Sequence, residues 1–164
     1  MLSRYLKMVL AIFIALFCLF YAMQNLFNLP AAHWFVSTML GMEGHEAYPA
    51  HFGPAITSPT LAWIALWIII ALEFLAGLLA LKGAWDLWAA RKGTAAQFQA
   101  AKRCVMNSVG VALLIWFGLF GAIGGAYLQM WQTEAGTGAL QGAFWYMASI
   151  GIVALYINLA EQEL

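Results

Sequence analysis

The sequence has few charged residues and few cysteines. Only 9% of its 164 residues are charged, 65% are hydrophobic, and the formal net charge is zero. This balance excludes an ordinary soluble domain, and it excludes the basic field that a nucleic-acid partner requires. The two cysteines, Cys18 and Cys104, lie in different apolar segments and lack the CxxC spacing of a redox or zinc pair. We interpret both as packing residues of a membrane protein.

The motifs of common enzymes and cofactor sites are also missing. The sequence has no nucleophile elbow, no phosphate-binding loop, no HExxH pair and no dinucleotide fingerprint. Because no histidine lies inside a long apolar segment, a haem held between helices is not expected. We therefore predict a protein that is not an enzyme and binds no cofactor.

Four apolar segments are long enough to cross a bilayer as helices, at about 5–27, 59–82, 104–131 and 139–160. Ser58 and Pro59 form a typical helix start, and Thr94 with Gln97 has the spacing of a capping box. The whole chain, 1–164, is predicted to be one all-α membrane domain, a four-helix transmembrane bundle. We expect the second span to pair with the third, the third to pair with the fourth, and the first to pack more loosely or bind a partner.

The positive charges predict the orientation of the bundle. The outer loop, 28–58, and the turn at 132–138 contain no Lys or Arg, whereas the inner hairpin, 83–103, is basic. The positive-inside rule therefore predicts cytoplasmic N- and C-termini. All seven basic residues lie on the predicted inner side: Arg4, Lys7, Lys82, Arg91, Lys92, Lys102 and Arg103.

The outer loop is the largest segment outside the predicted spans. Its first part, Pro30 to Leu40, has the pattern of a helix lying in the membrane interface. The loop also holds His45, Glu46 and His51, which are suitable ligand types for zinc or copper. Their spacing matches no defined metal motif, so we predict no metal site.

The layout as a whole resembles a bacterial family described only as predicted small integral membrane proteins, a domain of unknown function. The matching features are a short basic N-terminus, one outer loop with Pro and His residues, Glu73 inside the second span, and a basic inner hairpin. The resemblance implies the inner membrane of a bacterium. It provides no catalytic residues.

Glu73 is the most unusual residue of the predicted spans. Counting from Leu61 and from Lys82 places its carboxyl group about 13 to 18 Å from either edge of the second span. A carboxylate in lipid is costly, so we predict that Glu73 is buried, neutral and donates a hydrogen bond to another helix, a partner subunit or a lipid. The same residue is the working group if the protein moves protons or solutes.

Other polar and small residues predict contacts between helices. Asn107 and Asn158 are expected to hydrogen-bond each other across the bundle, with Ser108 as a further polar residue inside the third span. A site open to the cytoplasm is the alternative for these residues. Three glycines of the third span are expected to allow close helix packing, within the bundle or between two chains: Gly118, Gly121 and Gly125.

Two functions of different classes fit the sequence. The first is a non-enzymatic accessory or assembly subunit of an inner-membrane complex, with membrane lipids and other membrane subunits as partners. The second is a small transporter or proton-coupled binding protein that uses Glu73. A transport pathway requires polar groups at successive depths, whereas these spans are mostly apolar, which favours the first function. An enzyme acting on lipid or quinone would require the outer-loop His and Glu residues to converge.

Overall fold

The computed structural model describes residues 1–51 and 53–161 of the chain. Their secondary structure is helical, which confirms the all-α prediction. The fold is a bundle of four long apolar helices, and a short helix, α2, follows the first of them. The helices are α1 (Leu2–Phe27), α2 (Leu29–Leu40), α3 (Pro59–Ala89), α4 (Ala95–Ala101), α5 (Arg103–Leu113, continued by a π-helical segment, Leu114–Tyr127) and α6 (Glu134–Asn158).

The helix starts follow the local sequence signals. The Ser58 hydroxyl accepts a hydrogen bond from the backbone N–H of Leu61 at 3.4 Å, just ahead of Pro59. At the start of α4, Thr94 and Gln97 exchange two hydrogen bonds, of 2.9 and 3.2 Å, and so form the predicted capping box. These caps satisfy backbone N–H groups that have no partner within the helix.

The tightest packing is between α1 and α3. Their contact surfaces consist mainly of small residues, which allow two helices to approach closely. A Cβ atom on Gly77 would lie 2.5 Å from Cγ of Leu19, so Leu19 would have to shift to admit a larger residue there. The prediction that the first span packs loosely is therefore wrong. Small residues buried along these two helices include Ala11, Ala15, Cys18 and Ala22 of α1 and Ala76, Ala80 and Ala84 of α3.

The glycines that pack most tightly differ from the predicted ones. A Cβ atom on Gly118 would meet no atom within 4 Å, and one on Gly121 would meet only atoms of its own helix. Gly125 does pack closely, since its Cβ would lie 3.0 Å from Leu140 of α6. A Cβ on Gly83 of α3 would lie 2.6 Å from the backbone nitrogen of Val105. Close approach therefore depends on Gly77 and Gly83, not on Gly118 or Gly121.

The third span changes geometry in its second half. From Leu114 onward the turns are wider, and at the end the N–H of Leu128 bonds to the carbonyl of Ile123, five residues earlier, at 2.8 Å. Gln129 then adopts a left-handed conformation, with φ of 55°. The span predicted to reach residue 131 consequently stops at Tyr127.

Helix α2 packs against the bundle. The ring of His33 stacks on Trp63 of α3, with ring centroids 4.1 Å apart. The apolar face of α2, which includes Phe35 and Met39, lines a cavity of about 170 Å³ shared with α3 and the π-helical segment. These apolar side chains therefore point toward the other helices.

Candidate functional site

Two polar sites lie at opposite levels of the bundle. We call the end that holds Met1 and Glu161 the basic end, and the end that holds the 28–58 loop the loop end. Four long helices bring the first and last described residues to one end, so the seven Lys and Arg residues gather there. The first site contains Glu73, and the second is a charged cluster at the basic end.

Glu73 lies inside the bundle with only 2% of its surface exposed. The side-chain amide of Asn25 donates a hydrogen bond of 3.0 Å to its carboxylate oxygen Oε2. The partner is on another helix, as the sequence predicts, but here Glu73 accepts the hydrogen bond. The burial of this carboxyl is therefore compensated by one neutral amide.

The hydrogen bond with Asn25 shows how far along the bundle Glu73 lies. Asn25 is two residues from Phe27, the last residue of α1, and α1 runs antiparallel to α3. Relative to α1, Glu73 thus lies near the loop end. Counting along α3 alone had placed it at mid-depth, because α3 extends well beyond α1 at the loop end.

Aromatic rings lie on the α1 side of this site. Four rings from α1, the π-helical segment and α6 contact one another, with centroids 4.8 to 6.1 Å apart. They pack in tilted or edge-to-face geometries, which are favourable for aromatic pairs. This packing fixes α6 against α1 one helical turn from Asn25. The rings belong to Phe17, Tyr21, Trp116 and Tyr146.

The charged cluster at the basic end was not predicted. Arg4 Nη1 donates to the backbone carbonyls of Arg91 at 3.1 Å and Gly93 at 2.7 Å, just beyond the end of α3. Its Nε atom lies 3.4 Å from Oε2 of Glu161, which follows α6. Arg4 therefore joins the first, second and fourth spans.

Two lysines hold the end of α6 in the same cluster. Lys7 Nζ and Lys102 Nζ donate to the backbone carbonyl of Leu159 at 2.9 and 2.7 Å. Both also contact Oε1 of Glu161, with a distance of 3.0 Å for Lys102. Cations at a helix C-terminus are favoured by its unpaired carbonyls and by the helix dipole.

The cluster is buried. The side chains of Arg4, Lys7 and Lys102 are 2 to 3% exposed, and that of Glu161 is 6% exposed. The buried ring of Phe98 lies beside it, with Arg4 Cζ 4.9 Å from the ring centroid. Burial raises the pKa of Glu161, but hydrogen bonds from Lys7 and Lys102 outweigh it and hold this pKa below its usual value.

The remaining predicted polar residues take different roles. Ser108 is fully buried, and its hydroxyl donates a 2.7 Å hydrogen bond to the carbonyl of Ala76, joining α5 to α3. Asn107 and Asn158 are both exposed, and no hydrogen bond found in the described part of the chain joins them. The expected bond between these two amides is therefore absent, since both side chains point away from the bundle interior.

The outer-loop histidines form a small separate group. The rings of His45 and His51 meet edge to face with centroids 6.4 Å apart, while Glu46 is exposed. Burial and the nearby His51 lower the pKa of His45 below its usual value. Among residues 1–51 and 53–161, no three His, Cys, Asp or Glu side chains come together in an arrangement that could hold a metal ion.

The four apolar helices and the buried charges define the class of protein. Each helix contains an 18-residue stretch with a mean hydropathy of 2.4, 2.6, 2.0 or 1.5, in chain order, and each has 25 residues or more, which suffices to span a bilayer. The protein is thus a multi-pass membrane protein. The chain belongs to the family of predicted small integral membrane proteins, DUF2165, which it matches over residues 3–160. No curated protein and no solved structure matches it.

Proposed function

We propose that the protein is a non-enzymatic accessory or assembly subunit of a protein complex in the bacterial inner membrane. The positive-inside rule then predicts that the basic end faces the cytoplasm and that the 28–58 loop faces the outside. The family has no assigned activity, so the proposal depends on the arrangement of polar groups in the bundle.

The main support for this proposal is the distance between the two polar sites. Lys7 and Asn25 are 18 residues apart on α1, which corresponds to about 27 Å along the helix. The buried residues of α1 between them, from Met8 to Ala22, are apolar or, at Cys18, weakly polar. A proton or solute pathway requires polar groups at successive depths, and the buried face of α1 supplies none between the two sites.

The outer surface of the bundle supports a role in binding other subunits. Asn107 is five residues beyond Lys102 on α5, and its amide is exposed rather than bonded within the described bundle. Gly110, one turn further, has no neighbouring atom within 4 Å of a built Cβ. A polar amide beside a small residue is a suitable contact for a helix of another subunit.

The proposal is tested by purification from native membranes in mild detergent. We expect the protein to migrate in a stable complex larger than one chain, and Asn107→Leu to weaken that complex without changing the amount of folded protein. Leu155→Ala, at an exposed apolar position on α6, is the control and should leave the complex intact. Migration of the wild-type protein as a single chain would contradict the proposal.

A transporter or proton-coupled binding protein is the second candidate, and the buried carboxyl of Glu73 is the observation that favours it. In this case Glu73→Gln would leave a folded protein in reconstituted vesicles but remove a proton or solute flux. Asn25→Ala, which removes the hydrogen-bond donor and keeps the carboxyl, is the matched control. Loss of flux in Glu73→Gln alone would establish transport and overturn the accessory function.

A further inference from the structure

The charged cluster has more positive than negative charge. Among residues 1–51 and 53–161, three cations, Arg4, Lys7 and Lys102, surround one carboxylate, that of Glu161. The Nη2 atom of Arg4 is buried and has no hydrogen-bond partner in this part of the chain. A buried guanidinium that leaves a donor unused is costly, so the cluster is suited to a second anionic group.

An apolar cleft lies between α1 and α6, next to this cluster. It has a volume of about 130 Å³ and is lined by Leu10, Ile14 and Phe17 of α1 and by Ile150 and Val153 of α6, among others. Leu10 is one helical turn from Lys7, and Phe17 is ten residues from Lys7, about 15 Å along the helix. The cleft therefore extends from the cluster toward the middle of the bundle.

We propose that this cluster and cleft together bind an anionic phospholipid of the leaflet at the basic end. The phosphate would be held by Arg4, Lys7 and Lys102, and one acyl chain would lie along the cleft. A basic pocket between membrane helices at headgroup level is a known way of recognising anionic lipids. The inference does not depend on the accessory function, because a transporter could carry the same lipid site.

Glu161 occupies the position that the phosphate requires. Its carboxylate contacts all three cations and lies in a short non-helical stretch that follows α6. Residues 159–161 lie beyond the end of α6, so a shift of this stretch exposes the cations without unfolding a helix. Glu161 is thus an internal competitor of the lipid phosphate.

The test uses the purified full-length chain in a neutral detergent, with phosphatidylglycerol, phosphatidylcholine or inorganic phosphate added. We expect phosphatidylglycerol to raise the midpoint of thermal unfolding by about 5 °C, and the other two additives to raise it by less than about 1 °C. Equal stabilisation by inorganic phosphate would show that the site takes the free ion and would overturn the lipid assignment. No stabilisation by any additive would overturn the site itself.

Two pairs of variants separate lipid binding from a purely structural cluster. Glu161→Gln removes the competitor, so native mass spectrometry should show about tenfold tighter binding of phosphatidylglycerol. Lys92→Gln, at an exposed position of the same end, should leave that binding unchanged. If the cluster is only structural, Glu161→Gln destabilises the protein equally with every additive and gains no lipid, which contradicts the proposal.

The second pair tests the cleft without changing charge. Ser149→Phe places a ring in the cleft and should reduce phosphatidylglycerol binding about tenfold. Ile152→Phe adds a ring to the same helix at a residue that is 68% exposed and outside the cleft, and should have no effect. Equal binding by the two variants would contradict the placement of the acyl chain.

Discussion

Glu161 and Glu73, two carboxylates buried in the described part of the chain, differ in how their burial is compensated. Glu161, at the basic end, contacts three cations, whereas Glu73, nearer the loop end, accepts one hydrogen bond from a neutral amide. The first arrangement holds an ionised group and joins residues as far as 157 positions apart. The second requires no cation and joins only α1 and α3. The comparison indicates that the basic end is fixed by charge and the region of Glu73 by close packing.

The largest expected effect is that of a positive charge at Glu73. Glu73→Lys places an ammonium group against Asn25 with no acid among the described neighbours, which buries an unmatched charge. We expect the protein to disappear from the membrane fraction, as measured by immunoblotting.

The control for this change is Glu73→Gln. The amide keeps a hydrogen-bonding oxygen for Asn25, so its abundance should stay close to that of the wild type. Normal accumulation of Glu73→Lys would mean that the site has access to water.

Removal of the charge on Glu161 is expected to have the next largest effect. Glu161→Gln leaves three buried cations without a carboxylate, and breaking a buried ion pair costs about 3 kcal/mol or more. The midpoint of thermal unfolding in a neutral detergent without added lipid should fall accordingly. Lys82→Gln, which breaks an exposed pair with Asp86 on the same helix, should leave this midpoint almost unchanged.

A methyl group at Gly83 should have a smaller effect. Gly83→Ala brings a Cβ atom to within 2.6 Å of the backbone of Val105, and overpacking of this kind costs about 1 to 3 kcal/mol. The same substitution at Gly118, where nothing lies within 4 Å, should be neutral or slightly stabilising. Comparison of the two unfolding midpoints in detergent checks the prediction, and equal midpoints would contradict the close contact of α3 with α5.

The smallest expected effect is the response of the basic end to acid. Because the folded protein holds the pKa of Glu161 below its usual value, the ionised carboxylate stabilises the fold at neutral pH. This stabilisation is lost as the pH falls through the lowered pKa. Wild-type stability should therefore decline below about pH 4 more steeply than that of Glu161→Gln, which has no carboxyl to protonate. Parallel pH profiles would contradict the role of this charge.

The sequence predicts the helices well because their signals are local. Long apolar runs, the caps at Ser58 and Thr94, and the pairing of consecutive spans all depend on neighbouring residues. The looser packing expected for the first span was wrong, since small residues scattered along α1 and α3 match only when the two helices are aligned. The wide turns after Leu114 have no recognisable local signal either.

The polar sites were harder to predict because their partners are distant in sequence. Asn25 is 48 positions from Glu73, and its place near the end of α1 gave no reason to pair it with a residue counted at mid-depth. Glu161 follows the last helix, where a carboxylate opposes the helix dipole, so its place in the sequence indicates no stabilising role. The cations that surround Glu161 come from α1 and from the junction of α4 and α5, which are distant in sequence.

The bond between Lys7 and Glu161 also sets an order of events during synthesis. The two residues are 154 positions apart, so α1 is made long before its acidic partner exists. At translation rates of about 5 to 20 residues per second, the cations of α1 lack this carboxylate for about ten seconds or longer. A chain interrupted before residue 161 retains these cations without their carboxylate. Closure of the cluster therefore shows that the fourth span has been made and has packed against the first.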